Sequence, residues 1–242
     1  MRVLKITAEG LTTSFRYPYY LLGVQPTYEM PPPATLYGHV AGALGEWFDP
    51  AGVQFAVRFS YLRKHADLET TYLLTPAGGK LKGYENENIP KTLEGEGNPL
   101  KREILFFPRL TLYLNRPEWE TAFRHPRYAV CLGRSQDLLT YRRIEVVDLQ
   151  PVSSAYLQDL LLPYDFVRFT AAGHSVLMPR WLDVHHRRQP TFSRYLILQR
   201  RLHTRDLILP PDAALPPLWA DPSEPAIEGD PLGLVFHTWT EA

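Results

Sequence analysis

The chain reads as an α+β fold of ferredoxin-like type, and three observations carry that reading. Its apolar patterns run in the order strand, helix, strand, strand, insertion, strand, short helix. Three consecutive prolines, Pro31–Pro33, stop whatever precedes them, because proline fixes φ and lacks a donor N–H. A polar stretch from Pro76 to Glu103 holds five glycines and five basic residues with only scattered aliphatics, too few to build a core of its own.

Val3 to Phe15 forms the expected first strand, with Val3, Ile6 and Leu11 apolar and Gly10 at a bulge. After the proline stop, Leu36, Val40, Leu44 and Trp47 or Phe48 recur at helical spacing, so a helix runs to about Phe48, closed by the Asp49-Pro50 turn. Gly38, Gly42 and Gly45 interrupt it, each costing about 1 kcal/mol relative to alanine inside a helix. Close packing on a sheet, or a backbone terminus offered to an anion, would offset that cost. Val53 to Leu62 alternates, with Phe55, Val57, Phe59 and Tyr61 on one face, and Glu69 to Thr75 is a plausible partner strand. Ile104 to Leu114 resumes strand pattern around Pro108, and Glu118 to His125 makes a short helix after Pro117. Ile144–Leu149, Tyr195–Leu198 and Leu234–Trp239 complete the expected strands. The expected organisation is a body over 1–205, interrupted by the insertion at about 76–103, and an acidic, irregular, proline-rich tail over 206–242 that ends in a strand.

Length and composition are those of a globular chain with a sizeable core: 242 residues, 45% hydrophobic and 21% charged. No apolar run is long enough for a membrane span and no signal-peptide pattern opens the chain, so a cytoplasmic protein away from membranes is expected. The single cysteine, Cys131, excludes an internal disulfide framework and a multi-cysteine zinc site. Net charge is zero, yet Arg180–Arg205 carries seven arginines against one acid while 206–242 carries seven acids and no Lys or Arg. Either the two segments pair, or the first presents a basic face to a polyanion.

His174 and the pair His185-His186 have no carboxylate at ligand spacing except Asp183, so no metal or other cofactor is expected. No nucleophile elbow, P-loop or dinucleotide fingerprint occurs. A metal-independent ribonuclease needs only a base, an acid and a cation, which Tyr37, His39, Lys64 and His65 supply in principle. Nucleic-acid binding has broader support. Ser14-Phe15-Arg16-Tyr17 places a cation between two aromatics at a strand end, and Leu132-Gly133-Arg134-Ser135 sets a cation and a hydroxyl after a glycine turn. Arg63-Lys64-His65 and Arg142-Arg143 add charge at strand ends, which tilts the balance toward RNA.

Three of these segments together, Ser14-Phe15-Arg16, Pro33-Ala34-Thr35-Leu36-Tyr37-Gly38 and Leu132-Gly133-Arg134-Ser135, resemble in order and spacing the RAMP-superfamily subunit of type I CRISPR Cascade that caps the crRNA 5′ handle, the fifth Cas protein family. The resemblance spans most of the first 137 residues. It implies an RRM-like RAMP domain with an inserted β-hairpin thumb at 76–103, and a non-catalytic, I-B-like role in antiviral defence. The implied partners are crRNA, the Cascade backbone and large subunits, and target DNA nearby. The handle-binding positions it carries over are Ser14, Phe15, Arg16, Thr35, His39, Arg134 and Ser135, with Tyr17, Arg63 and Lys64 beside them from the cation–aromatic pattern. Lys80, Lys82, Lys101 and Arg102 are the thumb cations. An I-C-like branch processes pre-crRNA with a Tyr-Lys-His set. Here Lys101-Arg102 stands where its Lys-His pair would be, which speaks against catalysis.

Overall fold

The computed structural model describes residues 1–20, 23–80, 82–83, 89–91 and 93–240. The chain is α+β, mostly antiparallel sheet with few helices. β1 (Arg2–Gly10), β2 (Thr12–Thr13) and β3 (Val24–Gln25) precede helix α1 (Pro33–Leu44). β4 (Gln54–Ser60), β5 (Arg63–Pro76), β6 (Leu93–Phe106) and β7 (Arg109–Leu114) follow, then a 3-10 turn and the short helix α2 (Glu120–Arg124). β8 (Leu139–Asp148), β9 (Gln150–Val152), β10 (Tyr156–Leu157) and β11 (Leu160–Pro163) lead to a hairpin of β12 (His174–Asp183) and β13 (Gln189–Leu198). β14 (Leu202–His203), β15 (Leu218–Ala220), β16 (Gly233–Leu234) and β17 (His237–Thr238) are short C-terminal strands.

The main sheet runs β12–β13–β11–β4–β7–β1–β8, with β17 paired to β4 beside that path. β1 is paired on both sides: its Ile6 lies opposite Leu112 of β7 and Ile144 of β8, both antiparallel. Because successive strand side chains face opposite ways, one strand serves two cores. Leu4, Ile6 and Ala8 face α1, packing with Leu36, Val40, Phe55, Val57 and Phe59. Val3 faces away, in a second core with Tyr113, Leu160, Phe166, Leu218 and Val235. Both faces of the sheet are therefore covered, the second partly by the C-terminal segment.

Lys5, on that second face, is 1% exposed. Its ammonium donates to Asp221 and Glu224, each at 2.6 Å, while the Tyr113 hydroxyl donates to Asp221 at 3.1 Å. Burial alone would lower the Lys5 pKa, but the two carboxylates outweigh it and raise it, and Lys5 and Ser223 hold Asp221 below its usual range against the same desolvation. The tail is thus fastened to β1. The two acids are engaged there, and not by the basic segment as simple charge counting allows. Asp230 does reach Arg205, at 3.1 Å, whereas Arg187, Arg188, Arg194 and Arg200 have no carboxylate within 4 Å among the described residues.

Several expectations need correction. The irregularity in β1 falls between Thr7 and Ala8, not at Gly10. Helix α1 ends at Leu44, where Gly45 takes the left-handed cap at φ +88° that a side chain resists, and does not continue to Phe48. Gly38 and Gly42 are not packing devices: a Cβ built on either meets nothing within 4 Å, since both lie on the outward side of a helix that buries Leu36, Tyr37, Val40 and Ala43. The strand predicted over 104–114 breaks at Phe107-Pro108 into β6 and β7. The excursion is wider than 76–103. β5 and β6 pair antiparallel from Arg63 opposite Phe106 to Pro76 opposite Leu93, so the polar stretch supplies only the tip and most of the returning strand of a long hairpin. Glu69–Thr75 pairs with β6 and not with β4. Positions 81, 84–88 and 92 of the predicted insertion, and 241–242 of the tail, lie outside the described residues.

Candidate nucleic-acid interface

A cleft of about 470 Å³ opens where the first turn of α1, the segment after β2, the loop before β8 and the tip of the β12–β13 hairpin meet. Arg16, Thr35, Gly38, His39 and Gly133 line it, together with Arg188, Pro190 and Phe192 from the hairpin. Three segments singled out separately in the sequence thus converge on one surface. No carboxylate lines the cleft among the described residues.

Each element is positioned by an identifiable constraint. Pro32 caps α1 without a side-chain acceptor, and the Thr35 and Leu36 amides both turn back to its carbonyl, at 2.8 and 3.1 Å. Ala34 and Thr35 of this first turn line the cleft, and the turn carries no acidic residue. Gly133 has φ +99°, and a Cβ there would stand 2.6 Å from the Ser14 carbonyl oxygen, so only glycine lets this loop lie on the Ser14-Phe15-Arg16 segment. Gly38 leaves open space above the helix, which forms the cleft floor.

The predicted residues separate into two groups. Arg16 is exposed, pairs in a backbone bridge with Thr27, and lines the cleft beside the half-buried Thr35. Ser135 is exposed on the neighbouring loop, and Arg63, Lys80, Lys82 and Lys101 are exposed on the hairpin arm. The others are engaged within the fold. Phe15 is 2% exposed and packs edge-on against Phe59, so its ring is closed to bases. Ser14 donates to the Glu103 carbonyl at 2.8 Å. Tyr17 stacks on Tyr28 at 3.7 Å between centroids. Lys64 pairs with Glu29 at 2.6 Å and Arg102 with Glu69. Arg134 makes a bidentate pair with the buried Asp137, both contacts at 2.8 Å, with Glu69 at 3.8 Å, and Asp137 also raises its pKa. The Asp137 carboxylate accepts from Thr12 at 2.9 Å as well, so Arg134 braces the loop against β2.

His39 is a core histidine at the cleft wall. Its Nδ1 pairs with the Cys131 carbonyl at 2.9 Å, which requires an N–H there, so Nε2 accepts from the Tyr141 hydroxyl at 3.1 Å. Burial lowers its pKa and keeps the ring neutral. Tyr37, two residues earlier, faces the other way: its hydroxyl donates to the Phe48 carbonyl at 2.6 Å among Trp47, Trp181 and Trp239, and burial raises its pKa. His65 stands on the exposed arm. Among the described residues no group of three or more His, Cys, Asp or Glu is placed to hold a metal ion, and His186 bonds Asp183 at 2.7 Å.

Two contributors were missed from the sequence. Arg188 was visible only as one cation in a run, and its place at the cleft follows from a hairpin tip in which Arg187 and Arg188 take φ +54° and +58°. Tyr19, 63% exposed, stacks on Phe192 with centroids 5.9 Å apart, an aromatic pair at the cleft mouth that no local motif announces. Among the described residues no helix is long and apolar enough to cross a membrane.

Neither a family model nor a curated protein matches the sequence. Solved structures of similar fold include two CRISPR proteins. One is a CRISPR protein from Archaeoglobus fulgidus, at 13% identity and TM-score 0.52, covering 98% of this chain and 100% of that chain. The other is titled a CRISPR RNA-guided surveillance complex, at 17% identity and TM-score 0.49, covering 87% and 95% respectively. At 13% identity the likeness to the Archaeoglobus fulgidus protein is one of fold.

Proposed function

We propose that this protein is a non-catalytic crRNA-binding subunit of a type I CRISPR Cascade complex, holding the 5′ handle in the cleft between α1 and the β12–β13 hairpin. The single observation that carries this reading is the convergence there of Arg16, the α1 N-terminus and Arg188 with no opposing carboxylate among the described residues. Two exposed cations suit phosphates, and the Tyr19–Phe192 pair suits an unstacked base. The fold likeness to an archaeal CRISPR protein supports the same reading. So does the order β4–β7–β1–β8 with helices α1 and α2 on the crossovers, which agrees with the β-α-β-β-α-β order expected of a ferredoxin-like, RRM-like RAMP domain. In that reading the β5–β6 arm is the thumb that meets the backbone subunit, the large subunit docks nearby, and target DNA passes close to the assembled complex in antiviral defence. The closed sheet face, filled by the second core, leaves the cleft and not the sheet for RNA.

Enclosure of the Tyr37 hydroxyl and of both His39 nitrogens favours binding over cleavage. The test is fluorescence anisotropy with handle-bearing and scrambled RNA. Arg16→Glu and Arg188→Glu are each expected to weaken handle binding by about 10-fold or more, as charge-assisted contacts of about 1.5–3 kcal/mol require. Binding should also fall steeply with salt. Equal losses on both RNAs contradict handle specificity, and a discrete cut of repeat RNA in EDTA that disappears in Tyr37→Phe contradicts the non-catalytic assignment.

A further inference from the structure

A second surface shares no lining residue with the RNA cleft and is not explained by it. At the base of the arm the chain breaks between β6 and β7, and Phe107 adopts φ +53° and is 52% exposed. A bulky side chain in left-handed backbone costs about 1–3 kcal/mol and persists only where the surroundings impose it. Here they do: the Phe107 amide donates to the Leu11 carbonyl at 2.9 Å, Leu62 donates to the Phe106 carbonyl at 2.9 Å, and Gly10 to that of Pro108 at 3.2 Å. Three chain crossings are bonded together, and each turns a large apolar side chain outward: Leu11 at 72%, Leu62 at 69% and Phe107, with Leu138 at 58% beside them.

Clefts of about 480 and 400 Å³ flank the Phe107 ring, both also lined by Arg109, with Leu11 and Leu138 on one side and Leu62 on the other. Arg63 borders the ring on a third side. Neither Arg63 nor Arg109 has a carboxylate within 4 Å among the described residues, whereas the one acid in these clefts, Glu9, is already paired with Arg142. An exposed aromatic ringed by leucines, with unneutralised arginines at the rim, has the make-up of a protein-docking centre. Leucines offer no stacking face to a base, which disfavours nucleic acid. We propose that this patch docks an extended segment of a different protein, one that inserts apolar side chains on either side of Phe107 and presents Asp or Glu to Arg63 and Arg109.

The test pans random 12-residue peptides displayed on phage against the full-length protein, and measures the selected peptides on wild type, Phe107→Asp and Arg109→Glu. Aspartate tolerates left-handed backbone better than phenylalanine, so the first variant is expected to melt no lower than wild type. Selected peptides should combine an aliphatic or aromatic residue with neighbouring Asp or Glu. They should lose at least 10-fold in affinity on Phe107→Asp, and lose affinity on Arg109→Glu with a weakened salt dependence. Peptides without acids, peptides that bind Phe107→Asp as well as wild type, a dimer that Phe107→Asp dissociates, or a single-stranded RNA oligonucleotide crosslinking at Phe107 would each overturn the proposal.

Discussion

The two long hairpins of this molecule are built alike and held differently. In β12–β13 the inner strand ends in Tyr195-Leu196-Ile197-Leu198, all buried, and is paired on both sides, by β12 and by β11. Its partner strand is pinned from three directions: Tyr28 donates to the Leu177 carbonyl at 3.0 Å, Arg180 to Thr238 at 2.9 Å, and Trp181 meets Tyr37 edge-on. Among the described residues the arm has no such anchor along most of its length, and Leu68, Tyr72, Leu73 and Leu74 are all more than half exposed. Its returning strand begins Leu-Glu-Gly-Glu-Gly-Asn, with one leucine to bury. The difference teaches that a hairpin joins the body only where its sequence supplies an apolar face. The anchored hairpin can therefore hold Arg188 at a fixed place over the cleft, while the arm is available to other molecules.

Breaking the anchor should have the largest effect. Trp239 is 1% exposed, stacks on Phe55 at 4.4 Å and donates to the Pro33 carbonyl at 2.7 Å, joining the C-terminal strand, β4 and the start of α1. Trp239→Ala should lower stability by about 3–5 kcal/mol in urea unfolding.

Acid acts on the same side of the molecule. His237, on β17, is buried against Phe55 and Tyr195 and donates to the Leu161 carbonyl at 2.9 Å, and burial lowers its pKa to about 4. The unfolded imidazole takes up a proton below about pH 6.5 and the folded one only below about 4, so stability drains as pH falls through that window and is flat above it. The loss should approach about 3 kcal/mol by pH 4, read as a falling urea midpoint, and His237→Gln should flatten the curve.

The arm should give the smallest effect. Thr70 lies opposite Pro99 in the hairpin register, so joining them through a two-residue Asn-Gly turn removes the exposed end without disturbing Leu100 or Arg102. Stability should change by less than about 1 kcal/mol, since little apolar surface is uncovered. A larger loss would show that the arm is structural and would erase the contrast between the hairpins.

What the residues disclose in advance follows from how many faces each element buries. β4 was legible because Phe55, Val57 and Phe59 enter one core while Arg58 stays on the other face. α2 was legible from Pro117 at the first turn of its 3-10 lead-in. β11 and β12 were not: Leu160-Leu161-Leu162 is buried on both faces, and β12 carries Pro179 at its own register shift, so neither alternates. Of β5 only the Glu69–Thr75 part was legible, and its pairing with β6 was not, since a strand exposed on both faces has no period either. At the site, single motifs were readable but their use was not. Asp137, three residues after Arg134, is the local signal that this arginine is internally paired, whereas Arg16 has no acid so near and is exposed. Arg188 reaches the cleft only through the hairpin. The glycines of α1 were read as close packing, whereas Gly38 marks the open floor.

The central claim is that RNA lies in this cleft. Ultraviolet crosslinking of handle-bearing RNA to the full chain, mapped by mass spectrometry, tests it most directly. The predicted result is adducts on Tyr19 and Phe192 that disappear when Arg16 and Arg188 are both reversed to glutamate. Adducts confined to the arm, or adducts at the cleft that persist in the double variant, would contradict it.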